Sequence, residues 1–537
     1  MAAETWETAA RKCRDILKKS VPAQYLMEES KLPSLSTLNV TTFPKESGML
    51  SKKELEITKM SATTLAEKMG VDQFTAEEVV VAFLKRAVLG HQLLNFATEF
   101  MAEEAIARAK ELDEYKKKTG KLIGPLHGVP ISVKEHIGLK GRICNTGYVA
   151  WTSNIPKEDA YLVQLLKNAG AVFHVRTNQP QSLMHLDCTN NITGTTVNPY
   201  NRNLSPGGSS GGEGASTGFK CAALGIGTDI GGSIRAPAAF NGSYGFRPTA
   251  MRNPYKGIIL AGDGRESIRC VVGPLASTCV EDLDLFMKTV IDQEPWDVET
   301  SLVAMPWRKV EQKKEFTVAI MWDDGIVKPH PPITRGLAYA KEKLEAAGVK
   351  VVDWEPYKHD HGWDIVSALY FPDTAACQKE ILASVSEPIL PLTQHAFNYS
   401  RPSPLTIVEN WDLNVQRENY RAEYHALMKS RGVDFILSPT YLGVAAELGT
   451  PQYWNYTAIW NILDQPCVIF PTGLYQDPKV DVKVDYQPRG DVDAREWARY
   501  EPEKFDGAPI ALQLTGKHWK DEETLAAGKI VAEIIKG

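Results

Sequence analysis

Pro206-Gly207-Gly208-Ser209-Ser210-Gly211-Gly212-Glu213-Gly214 and, a short segment later, Gly227-Thr228-Asp229-Ile230-Gly231-Gly232-Ser233-Ile234-Arg235-Ala236-Pro237 decide how this chain is read. Two glycine-rich loops, each presenting serine, flank a stretch of small residues. Glycine lets backbone approach a ligand closely and adopt conformations that a Cβ forbids. Serine is a weak nucleophile until a base takes its proton. Both features, repeated twice, predict a reaction centre assembled from backbone N–H groups and hydroxyls.

Phosphate binding is the first reading to weigh. A P-loop needs G-x-x-x-x-G-K-[ST], and neither loop is followed by that lysine. Gly225-x-Gly227 lacks the third glycine of a dinucleotide fingerprint. No G-x-S-x-G elbow surrounds either serine and no histidine stands beside them, although distant histidines stay open. That leaves serine chemistry with another base. Upstream, Gly128-Val129-Pro130-Ile131-Ser132-Val133-Lys134 reads as an apolar strand ending in a charge. An ordinary lysine is neutral at pH 7 in about one molecule in 2,500. Burial disfavours its charged form and can supply the necessary shift. Taken alone, Lys134 reads as a surface lysine past a strand end.

Further out, helices alternate with short apolar strands. Thr75-Ala76-Glu77-Glu78 is a capping box that opens a helix striped by Val80, Phe83, Leu84, Ala87 and Val88. A second helix is expected over 101–117 and another over 160–168, leading to a strand over 171–175. Strands are expected at 316–321, 349–352, 435–437, 468–470 and 510–514, with a helix over 334–347. This alternation predicts an α/β fold, a central mixed β-sheet covered by helices on both faces. Residues 1–60 read as an N-terminal helical arm and connector, and 61–537 as one large domain. Its catalytic core is expected at about 120–290, with a C-terminal half from about 316 lining the substrate pocket. The polar stretch 476–506 reads as a surface excursion.

The composition of the 537 residues, 43% hydrophobic and 23% charged with a net charge of −6, is that of an ordinary globular chain. It offers no basic excess for nucleic acid. No apolar run approaches the roughly 18 residues of a membrane span, and the acidic N-terminus is no secretion signal. The eight cysteines are scattered without a C-x-x-C pair, which predicts reduced thiols and a cytoplasmic protein. There is no H-E-x-x-H, and His359 and His361 fall in a polar, turn-like stretch, so no metal site is expected.

The Lys134 strand, the Gly-Gly-Ser-Ser-Gly-Gly loop and Gly-Thr-Asp-Ile-Gly-Gly-Ser-Ile-Arg-x-Pro together resemble the amidase signature family, and their spacing agrees. Gly273-Pro274-Leu275-Ala276, Glu294-Pro295-Trp296 and His330-Pro331-Pro332-Ile333 look like its fungal acetamidase branch. The resemblance implies the amidase signature fold and a Ser-Ser-Lys triad that hydrolyses amides through an acyl-enzyme without a cofactor. In it Ser233 is the nucleophile, Ser209 the bridging serine after a cis peptide at Gly208, and Lys134 the terminal base. The backbone N–H groups of Ile230, Gly231, Gly232 and Ser233 form the oxyanion hole, with Ser210, Thr228, Asp229 and Arg235 supporting. Thr228 and Glu213 are expected to satisfy backbone groups, and Asp229 and Arg235 to orient the loop. Leu183, Met184, Trp454 and Trp460 are candidates for the substrate pocket, although an aromatic core stripe accounts equally well for Trp454 and Trp460. The partner implied is a small-molecule amide, and the chain is expected as monomer or homodimer. Two alternatives stay open: an amidotransferase catalytic subunit that passes ammonia to a partner, and an inactive receptor on the same fold.

Overall fold

A computed structural model describes residues 5–311 and 315–537. Eleven strands form its main sheet: β1 (Ala97–Phe100), β2 (Pro130–Lys134), β3 (Val172–Thr177), β4 (Leu224–Asp229), β5 (Tyr244–Arg247), β6 (Val271–Ala276), β7 (Thr317–Ile320), β8 (Lys350–Asp353), β9 (Phe435–Pro439), β10 (Cys467–Tyr475) and β11 (Pro509–Thr515). Their spatial order is β1-β3-β2-β4-β6-β5-β10-β11-β9-β7-β8. The runs β3-β2-β4 and β9-β7-β8 are parallel, and the strands between them pair antiparallel. Parallel neighbours need a crossover. The helix Tyr161–Asn168 provides it between β2 and β3, and the helix Pro331–Ala346 between β7 and β8.

Alternate residues of one strand feed two separate apolar clusters. Val468 and Phe470 of β10 join one, and Cys467 and Ile469 the other. In β7, Val318 and Ile320 part from Ala319 in the same way. Strand side chains alternate between faces, so the sheet is covered on both. The α/β architecture expected from the alternating pattern is therefore present.

The capping box forms as spaced: Thr75 Oγ1 accepts from the Glu78 N–H at 3.1 Å, and the Glu78 carboxylate from the Thr75 N–H at 3.2 Å. The helix that follows, Ala76–Leu94, buries Val80, Phe83, Leu84, Ala87 and Val88 completely. Each of these side chains but Ala87 contributes about 1.5–3 kcal/mol when taken from water. The arm begins with the helix Trp6–Ser20, whose Ala10 and Cys13 pack on Val149 and Ile192 of the same chain. Among the described residues no helix is long and apolar enough to cross a membrane.

Three expectations need correction. The helix near 334 starts at Pro331 because prolines suit the first helical turn, where their missing N–H is not needed. The stretch 476–506 contains the helix Asp491–Ala498 and buries Asp481, Trp497, Tyr500 and Phe505, so it is anchored rather than a mere excursion. His359 and His361 are not in a turn: they lie in the first turn of the helix His359–Tyr370, with His359 buried against Tyr424.

Candidate active site

β2 and β4 run parallel and end at the same edge of the sheet, the edge where α/β folds bind ligands. Lys134 is the last residue of β2 and is fully buried. Its Nζ lies 2.7 Å from Ser209 Oγ and 3.0 Å from Thr228 Oγ1. Burial pushes its pKa down to about 8, against the opposing influence of Cys270, Cys188, Asp229 and Glu213. The Gly208–Ser209 peptide is cis.

His136, which sequence reasoning did not single out, completes this cluster. Its Nδ1 is 2.8 Å from the Ile259 carbonyl and its Nε2 2.9 Å from Thr228 Oγ1. Burial, reinforced by Lys134, holds its pKa well below the usual value, so the ring is neutral. A carbonyl only accepts, so the proton sits on Nδ1 and Nε2 accepts. Thr228 therefore donates its hydroxyl hydrogen to His136 and offers lone pairs to Lys134. A neutral lysine amine in this setting donates to Thr228 and turns its own lone pair toward Ser209. The only hint of His136 in the sequence is its place two positions after Lys134.

The second loop is held from outside. The Asp229 carboxylate pairs with Arg235, with Nε and Nη2 at 3.0 and 2.9 Å, and accepts from Asn461 Nδ2 at 2.9 Å. Burial of Asp229 is outweighed by the guanidinium and hydrogen bonds, which hold its carboxyl well below the usual range. Tyr370 donates to the Ile230 carbonyl at 3.1 Å and Thr457 to the Gly231 carbonyl at 2.6 Å. Gly232 adopts φ +132°, and a Cβ there would collide with Thr457. One part of the expected oxyanion hole is corrected: the Gly232 N–H donates to Asp229 Oδ1 at 2.8 Å. Among the described residues, the N–H groups of Ile230, Gly231 and Ser233 have no acceptor. Ser210 joins the two loops, its N–H donating to the Ser233 carbonyl at 3.1 Å and its hydroxyl to the Thr228 carbonyl at 3.3 Å.

Glu213 also departs from expectation. It binds side chains rather than backbone, accepting from Ser132 Oγ at 2.5 Å and Thr177 Oγ1 at 2.7 Å. Burial pushes it up to about 8. Thr228 likewise spends its hydroxyl on Lys134 and His136.

Ser209, Thr228, His136 and Ser233 open on one cavity of about 340 Å³. Among the described residues no hydrogen bond joins the hydroxyls of Ser209 and Ser233. Leu183 and Met184 line this cavity and a small pocket beside it. The opposite wall comes mainly from the β5–β6 connection, including Tyr255, Leu260, Arg265 and Ile268, and from Glu299 to Leu302. This differs from the expected lining by the C-terminal half, because that connection folds over the strand ends. The C-terminal half supplies Gln378 to the cavity, and Tyr370 and Trp454 to the small pocket. Trp460 lines neither: it is fully buried against His359 and Tyr424.

A protein family described as Amidase matches residues 78–525. An Aspergillus oryzae acetamidase is 38% identical over 100% of both chains. A Schizosaccharomyces pombe protein whose name assigns it provisionally to the amidases is 46% identical over 98% of this chain and 99% of its own. A solved fatty acid amide hydrolase structure superposes with a TM-score of 0.96 at 41% identity, covering 99% of this chain and 95% of that one.

Proposed function

The chain belongs to the amidase family, and we propose that it hydrolyses linear carboxylic acid amides with Ser233 as nucleophile, Ser209 as bridging serine and Lys134 as terminal base. The observation that carries this reading is the 2.7 Å contact between Ser209 and a buried lysine whose pKa is brought down to about 8. Neutral Lys134 accepts the Ser209 proton as Ser209 takes that of Ser233. Ser233 Oγ bonds to the amide carbonyl carbon, and the oxyanion is received by the N–H groups of Ile230, Gly231 and Ser233. Removing one such donor typically costs roughly 3 kcal/mol of transition-state stabilisation. Collapse breaks the C–N bond, and the proton returns from Lys134 through Ser209 to the leaving nitrogen. Water then repeats the relay, releasing the carboxylate and regenerating Ser233.

A cavity of about 340 Å³ exceeds what acetamide fills, which favours larger acyl amides. Two experiments test the assignment. A phosphonyl fluoride should label the purified chain on the peptide carrying Ser233, and a label on any other residue refutes the nucleophile. The chain alone, without a companion subunit, should release ammonia or amine from an amide panel. Release only with a partner protein favours the amidotransferase alternative, and no release favours the inactive receptor.

A further inference from the structure

Two of the polar side chains on the cavity wall have no use in the proton relay, and each holds a buried oxygen without a protein partner among the described residues. Ser182 and Gln378 both line the cavity that holds Ser209 and Ser233. Ser182 Oγ and Gln378 Oε1 are buried without a hydrogen bond among the described residues. Gln378 is 3% exposed, and Ser182 stands at φ +64°. The segments that carry them are clamped together. Gln181 donates to Glu387 Oε1 at 2.7 Å and accepts from the Leu390 N–H at 2.9 Å. Asn253, another wall residue, at least places its amide nitrogen 2.9 Å from the Val272 carbonyl. Gln378 Oε1 has no such partner among the described residues.

Buried side-chain amides are almost always hydrogen-bonded, because leaving one unpaired forfeits its hydration. A glutamine amide presents an acceptor and donors side by side in one plane. Its complement is another amide: a carbonyl beside an N–H. We propose that Gln378, with Ser182, forms a subsite for a second amide-type group on the substrate, so that the preferred substrates carry a carbamoyl, ureido or N-acylamino group besides the bond that is cut. The proposal rests on the amidase reading above. The cavity suits such molecules, since about 340 Å³ corresponds to roughly eleven waters at ~30 Å³ each.

The test compares kcat/KM for ammonia release from succinamide, glutaramide and adipamide with that from 4-methylpentanamide, 5-methylhexanamide and 6-methylheptanamide, in which an isopropyl group replaces the second carboxamide. After correction for the two equivalent amides, one chain length should favour the diamide by about ten-fold or more, because a site built to hydrogen-bond rejects the analogue that cannot. Gln378→Leu should reduce that preference to within about two-fold while hydrolysis of the branched amides persists. Gln378→Met and Ser182→Ala supply the same comparison should the leucine variant fold poorly. Absence of a diamide preference at every length, or its survival in the variants, overturns the subsite and leaves it holding water only. Failure of both series in the wild-type chain overturns the amidase reading itself, and the subsite with it.

Discussion

Lys134 gives up its hydration at the end of β2, and two consequences follow from its lowered pKa. The proposed relay needs the neutral amine, so kcat/KM should rise with pH through an apparent pKa of about 8. A flat profile between pH 6.5 and 9 would remove Lys134 as the base. The second consequence concerns stability. The folded pKa lies below the unfolded one, so the unfolded state binds more protons between about 8 and 10.5. The penalty, about 3 kcal/mol for a shift of this size, is complete below pH 8 and fades as pH rises toward 10.5. Lys134→Met should therefore abolish turnover yet raise the melting temperature, most at neutral pH. His136 acts at one remove. His136→Phe frees the Thr228 hydroxyl to donate to Lys134 and compete with Ser209. The expected result is a fall in kcat of about ten-fold or more, part of what general base catalysis contributes, with KM little changed. A change confined to KM would refute that role. Much of this centre was legible beforehand, because Ser209, Thr228, Asp229 and Ser233 sit within two short loops whose glycines announce them. His136 was not, since a neutral buried histidine leaves no mark on the local pattern.

Among the elements, the helix Asn455–Ile462 reaches the site without supplying an atom to the proton relay. Thr457 holds the Gly231 carbonyl, and Asn461 holds Asp229. Thr457→Val keeps the shape and removes the hydroxyl. Folding stability should fall by about 1 kcal/mol, with kcat lowered more than KM as the loop loses its fixed orientation. Equal kcat in the two proteins would argue that the loop is held by its own chain alone. Strands and helices with clear periodicity were readable from local pattern, as the helix Ala76–Leu94 and β10 show. The β5–β6 connection was not, because irregular backbone carries no period. Nor did any local signal mark Tyr370, Thr457, Asn461 or Gln378 as neighbours of loops more than a hundred positions away. Trp460 illustrates the reverse error: its helical spacing fits a pocket wall and a core stripe equally, and burial decides for the core.

Across the whole molecule, the buried Asp229–Arg235 pair ties the first half of the chain to the second through the Thr457 carbonyl and Asn461. Arg235→Met leaves Asp229 charged and only partly compensated. Removing one partner of a buried pair typically costs about 3–5 kcal/mol, which urea titration would register as a lower midpoint. A midpoint within experimental error of wild type would show that Asn461 and the loop N–H groups suffice. The same tie bears on synthesis. A ribosome delivers Ser209 and Ser233 long before Thr457 and Asn461, so the nascent chain holds the proposed nucleophile while the Gly231–Ser233 loop is still unbraced. Prematurely ended products should then be inert rather than loosely selective hydrolases, with activity expected only once translation has passed the second half of the sheet.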